Sequence, residues 1–134
     1  MSRENVEIVR SICEPWTRGD FSSAEWAHDE IEYVIADGPA PGRWVGRAAL
    51  AEGWQAFLNA WDDYRAEPEG YRELDAERVL VPLRGTGRGK ASGVDLAQMA
   101  TTGANLFELR DGKVTRMVTY MNWDRARADL GLRE

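Results

Sequence analysis

The sequence has one cysteine and one histidine among 134 residues. A lone thiol, Cys13, excludes an internal disulfide and suits a reducing, cytoplasmic setting. A lone histidine, His28, argues against a transition-metal centre, which gathers three or four ligands. No metal and no cofactor is expected. Positive charge is also scarce, with 17 Lys and Arg against 23 Asp and Glu and a net charge of −6. Non-specific binding to nucleic acid or an anionic membrane needs a basic patch, so neither partner is expected. No apolar run reaches the length of about 18 residues that a spanning helix needs. The opening MSRENVEIVR is too polar for a secretion signal.

What the chain does have is a core and many large rings. Hydrophobic residues make up 43% and charged residues 30%, as in ordinary globular proteins. The length fits one domain, 1–134. Six tryptophans are many for this size, and most are expected to line a core, pocket or interface.

The stretch 101–123, TTGANLFELRDGKVTRMVTYMNW, reads as two strands joined by Asp111-Gly112. That dipeptide permits the two positive φ angles of a type I′ hairpin turn. Counting outward, Arg110 faces Lys113, Leu109 faces Val114, Phe107 faces Arg116 and Asn105 faces Val118. One face then carries Asn105, Phe107, Leu109, Val114, Val118, Tyr120 and Asn122, with Arg116 the odd member. A bulge would reverse this parity. The other face is apolar too, so the sheet needs two covers, such as a helix layer and a partner subunit.

Upstream, Ser2 can cap a helix with Val6, Val9, Ile12, Cys13 and Trp16 on one face, loosened near Pro15. Gly19-Asp20 stops it, and 21–28 suggests a short second helix. Residues 31–36 form a strand with Ile31, Tyr33 and Ile35 on one face. Residues 37–46 are a Pro/Gly loop carrying Trp44. The longest helix spans 47–61, with Leu50, Trp54, Phe57, Leu58 and Trp61 in one stripe. Strands interrupted by Pro68, Gly70 and Pro82 cover 64–74 and 77–87, then a turn at 88–93 and a long strand at 94–110. Asp124 opens a terminal helical turn that Gly131 ends. Helices followed by strands make an α+β fold with a strongly bent antiparallel sheet. RGTGRGKAS is no phosphate loop, because Arg84 and Ala91 break the pattern.

Taken in order, NVEIVRSICEPWTRGDF, HDEIEY, DGPAPGRWVGRAAL, RVLVPLRGTGRGKASGVDL and FELRDGKVTRMVTYMNWDRARADLGL resemble the SnoaL-like family of the nuclear-transport-factor-2-like superfamily. The resemblance runs over essentially the whole chain and rests on the ordered set. It implies a cone-shaped α+β barrel with N-terminal helices over the bent sheet and a pocket inside. It also implies a homodimer through the outer sheet face, and no cofactor. The superfamily includes isomerases, dehydratases, epoxide hydrolases, polyketide cyclases and binding domains, so the fold does not fix the function. In the ketosteroid isomerase members a tyrosine, an aspartate base and a second acid do the chemistry. Their positions fall here at about Ile12, at Val34 or Ile35, and at Asn105. Where many relatives end the last strand Tyr-x-Asp, this chain has Tyr120-Met121-Asn122, and an amide cannot act as a base.

Two functions lead, beside a dimerising interaction module whose cavity its own tryptophans fill. The first is binding of a small apolar ligand, lined by Trp16, Tyr33, Trp44, Trp54, Phe57 and Trp61 with Asn105, Tyr120 and Asn122 as polar anchors. The same aromatics read more simply as core, and Asn122 serves equally as a strand end that caps the Asp124 turn. The second is a cofactor-independent isomerase, cyclase, dehydratase or epoxide hydrolase acting on a small hydrophobic ring compound. Its acid or base would come from Asp95, Asp37, Tyr33 or His28, of which Asp95 and His28 read more simply as solvated.

Overall fold

A computed structural model of the chain describes residues 2–21, 25–37, 41–59, 61–89 and 103–132. Helix α1, Ser2–Cys13, turns its apolar stripe inward and places acidic Glu4 in its first turn. Pro15 tightens the chain into a 3₁₀ turn, Glu14–Arg18, with Trp16 buried. Gly19 ends it at φ 79°, in the left-handed region that glycine enters freely. The short second helix expected over 21–28 is corrected. Glu25 and Trp26 form a turn, strand β1 already begins at Ala27, and residues 22–24 lie outside the described set.

Strand β1, Ala27–Ile35, buries Ile31, Tyr33 and Ile35 on one face, as the alternation predicts. Strand β2, Gly42–Val45, pairs with it antiparallel. Trp44 is therefore a strand residue, not a loop residue, set directly opposite Tyr33. Helix α2, Arg47–Asn59, stops two residues earlier than its apolar spacing predicts, and Trp61 opens strand β3, Trp61–Pro68. The short strand β4, Arg72–Glu73, the long strand β5, Arg78–Gly89, and the hairpin β6, Gly103–Arg110, with β7, Lys113–Tyr120, complete the sheet. Helix α3, Trp123–Leu130, closes the fold. Residues 90–102, which cover most of the expected turn and the start of the long strand, lie outside the described residues.

The strand order is β2-β1-β7-β6-β5-β3, with β4 beside β5. The fold is α+β with helices over a curled sheet, as expected. The sheet is mixed rather than wholly antiparallel, because β1 runs parallel to β7, and it does not close on itself. The concave face packs Val79, Val81, Phe107, Leu109, Val114 and Met117 against α1, the 3₁₀ turn and α2. The opposite face carries Leu80, Leu106, Val118 and Tyr120, partly covered by α3 through Ala126. Among the described residues no helix is long and apolar enough to cross a membrane.

The hairpin turn forms where expected, with φ 53° at Asp111 and 80° at Gly112. Arg110 pairs with Lys113 and Leu109 with Val114, also as expected. The register then shifts, so Glu108 faces Arg116, Phe107 faces Met117 and Asn105 faces Thr119. Thr115 is the extra residue, and its hydroxyl donates to the Glu108 carbonyl at 3.2 Å. The slip has an electrostatic reason. It moves Arg116 away from Phe107 and onto the outer face, where it donates to Glu108 at 2.8 Å and Glu32 at 3.1 Å. Every residue beyond the bulge consequently changes face, including Tyr120.

Candidate functional site

A pocket opens between the concave sheet face and the helices. Trp16, Phe21, Trp54, Leu58 and Tyr64 wall it on the helix side and the β3 edge, and Tyr33, Leu83, Asn105 and Thr119 line it on the sheet. Its enclosed space is about 50 Å³, widening to about 650 Å³ when the mouth open to solvent is included. The aromatic wall is tightly knit. The Trp16 ring meets Trp54 edge-on at 5.4 Å and stacks on Phe21 at 5.8 Å and Phe107 at 6.1 Å. Phe21 in turn lies 5.7 Å from Tyr64. Such edge and stacked contacts add to burial and hold the rings in place.

The polar groups converge on one strand pair. Asn105 and Thr119 are direct cross-strand partners, and Thr119 is also opposite Ile35 of β1. The Tyr33 hydroxyl lies 3.4 Å from the Thr119 hydroxyl. Burial pushes the Tyr33 phenol up, the Thr119 hydrogen bond partly offsets this, and Tyr64 adds to the rise. Burial likewise pushes the Tyr64 phenol up to about 12. Both rings therefore stay protonated and neutral at physiological pH. Asn105 is 5% exposed, and its Oδ1 is buried without a hydrogen-bond partner among the described residues. A native interior rarely leaves such an atom unpaired.

The nine residues expected to bind a ligand divide. Trp16, Tyr33, Trp54, Asn105 and Tyr120 line the pocket. Trp44 does not, but it packs at a tilt on Tyr33 with ring centroids 5.7 Å apart and lies against Gly53 of α2. Trp61 is placed with Tyr64, 6.5 Å away, and its indole Nε1 is buried without a partner. The side chain of Phe57 lies outside the described residues. Tyr120 borders the pocket, but the bulge turns its ring to the opposite sheet face, among Leu80, Leu106 and Ala126. There burial and the Asp129 carboxylate push its phenol up. The expectation that Tyr120 and Asn105 share a face is thus corrected by the register shift. Asn122 is exposed and caps α3, accepting from the Arg125 amide at 3.2 Å, so it ends the strand rather than facing the pocket.

The catalytic candidates lie elsewhere. Asp37 accepts a hydrogen bond from the Met121 amide at 2.6 Å and so ties β1 to the end of β7. His28 is exposed and its Nδ1 accepts from the Glu30 amide at 3.0 Å. Asp95 lies outside the described residues. Among the described lining residues none is a carboxylate or a histidine. Thr119, Phe21 and Tyr64 are site residues that sequence reasoning missed. For Thr119 the signal was there: Arg116, the odd charge on an apolar face, marks the bulge that brings Thr119 inward.

The chain belongs to the SnoaL-like domain family, whose pattern matches residues 9–117. Solved structures share the fold. An NTF2-like protein from Burkholderia xenovorans is 28% identical, with a TM-score of 0.66 over 88% of each chain. A protein from Jannaschia, proposed to be a SnoaL-like polyketide cyclase, is 18% identical with a TM-score of 0.71, covering 88% of this chain and 85% of that one. Another proposed polyketide cyclase, from Sinorhizobium meliloti, is 24% identical with a TM-score of 0.63, covering 89% of this chain and 98% of that one. No curated protein matches the chain.

Proposed function

We propose that this protein binds a small, mainly apolar ring compound in the pocket beneath Trp16 and Trp54. The observation that carries this reading is the combination of an aromatic wall with a few polar groups on its floor, Asn105, Thr119 and Tyr33. That combination is the usual make-up of a small-molecule site, apolar for affinity and sparsely polar for orientation. Thermal melting against steroids, aromatic polyketides, terpenoid epoxides and lactones tests it. A ligand that binds only the native state raises Tm with its concentration. A flat response from every class counts against the reading.

A cofactor-independent isomerase, cyclase, dehydratase or epoxide hydrolase is the second reading. Two fold neighbours are proposed polyketide cyclases. The Tyr33–Thr119 pair supplies a neutral phenol able to donate a proton or polarise a carbonyl. A turnover assay on any ligand found by melting separates the two, and loss of turnover in Tyr33→Phe with binding retained supports the enzyme. We further propose a homodimer through the outer sheet face, the face on which the Glu32–Arg116–Glu108 group lies. A monomer mass by light scattering would sink that part.

A further inference from the structure

Binding of an apolar ring leaves the ligand's polar chemistry open, and the floor of the pocket narrows it. Asn105 is 5% exposed, yet among the described residues its carbonyl oxygen has no donor. Leaving a buried acceptor unpaired costs stability, so the chain tolerates a defect at this one place on the lining. Among the described residues none supplies that donor, and the nearby Tyr33 and Thr119 hydroxyls, 3.4 Å apart, use only one of their two protons on each other. No lysine or arginine is among the described lining residues, so nothing there compensates a ligand's negative charge.

We infer that the pocket selects uncharged ring compounds bearing a hydroxyl group, which donates to Asn105 Oδ1 and accepts from the Tyr33 or Thr119 hydroxyl. The geometry suits this. Asn105 and Thr119 stand directly opposite each other on β6 and β7, and Tyr33 reaches the same point from β1. Asn105 Oδ1 is covered in the free protein, and ligand binding requires the terminal amide to turn it toward the cavity, a rotation about a broad torsion. A hydroxyl is both donor and acceptor and satisfies both sides at once. An ether lacks the donor, a hydrocarbon lacks both, and a carboxylate brings a charge that the pocket leaves unpaired.

This inference rests on the binding reading, and the test separates the two. Dissociation constants are measured by titration calorimetry for toluene, 4-methylanisole, 4-methylphenol and 4-methylbenzoate. These share one ring and differ in the polar end. The expected result is that 4-methylphenol binds about tenfold tighter than the other three, as one buried acceptor gaining its donor implies. In Asn105→Leu that advantage over toluene disappears while toluene still binds. Equal binding of 4-methylphenol and toluene to the native chain overturns the inference and leaves the pocket reading standing. So does equal binding of 4-methylphenol and 4-methylanisole, or tightest binding of 4-methylbenzoate. Binding of none of the four overturns both. The native-chain comparison decides the matter even where the variant does not fold.

Discussion

Trp44 is held between two partners that lie far apart in sequence: its ring packs at a tilt on Tyr33, its cross-strand neighbour, and lies against Gly53 of α2. A Cβ at Gly53 would stand 2.6 Å from the Trp44 ring. The glycine is therefore a packing requirement in the middle of a helix, where glycine is otherwise unfavourable. Gly53→Ala gains about 1 kcal/mol of helix propensity and meets an overpacking cost of ~1–3 kcal/mol. We expect a net loss of stability and a lower Tm. A higher Tm would mean that Trp44 swings aside at no cost and does not hold Tyr33.

Gly103 presents a sterner case at the pocket rim. A Cβ there would lie 2.3 Å from the Tyr120 carbonyl oxygen, a backbone atom that cannot rotate away. Gly103→Ala must push β6 from β7 beside Asn105 and Thr119. The expected loss is roughly 2–3 kcal/mol, in the range of core overpacking, read as a lower urea midpoint. An unchanged midpoint would show that the two strands part freely at this end.

The hairpin turn, the buried face of β1 and the stripe of α1 were legible in the sequence, because each is a local pattern with a short period. The residues that mattered for the pocket were less so. Thr115 inserts one residue and exchanges the faces of Tyr120 and Thr119, and the alternation betrays this only through Arg116, the one charge on an apolar face. Trp61 continues the helical spacing of Leu50 and Trp54 by coincidence, since the helix has ended at Asn59. Trp44 sits in a strand of four residues, too short for its pattern to stand out from the glycines and prolines around it. Tyr64 reaches the pocket from an edge strand by the curl of the sheet, a tertiary feature.

On the outer face, Glu32 is held below the ordinary carboxylate value of 4.5, first by its hydrogen bond from Arg43 and then by the charge of Arg116, against the opposing effect of burial. A carboxylate whose folded pKa is depressed contributes stability above its unfolded value. That contribution is lost as pH falls through the lower folded pKa. Stability is therefore expected to fall below about pH 4.5, and Glu32→Gln should lessen the fall. Denaturant titrations of both proteins at neutral and acid pH give the comparison. Parallel pH profiles would mean that the Glu32 group adds nothing, as exposed ion pairs often do.

Cys13 lies on the inner face of α1 and is fully buried. Desolvation pushes its thiol up to about 12, so almost no thiolate exists at physiological pH. The native chain should resist a thiol-specific reagent such as iodoacetamide, and react at the ordinary rate once denatured. Labelling followed by mass spectrometry reads the outcome directly. Fast labelling of the folded protein would require α1 to open easily and would place it at the low-stability end of the molecule.

Trp54 bears on whether the aromatic wall is core or platform. It touches Trp16 at 5.4 Å, Trp26 at 5.6 Å and Phe21 at 5.9 Å, while its remaining surface lines the pocket. Removing a large, fully packed ring costs ~3–5 kcal/mol. A ring packed on one side and facing a cavity on the other loses fewer contacts, because the side toward the void has no partner atoms to lose. Trp54→Ala should therefore destabilise the free protein by less than that full range, roughly 2–3 kcal/mol, and weaken any ligand found by melting more than it weakens the fold. Denaturation and binding measured on the same variant separate the two effects. A loss at the top of the range with no change in ligand affinity would mean that the rings fill the cavity themselves and that the wall is core.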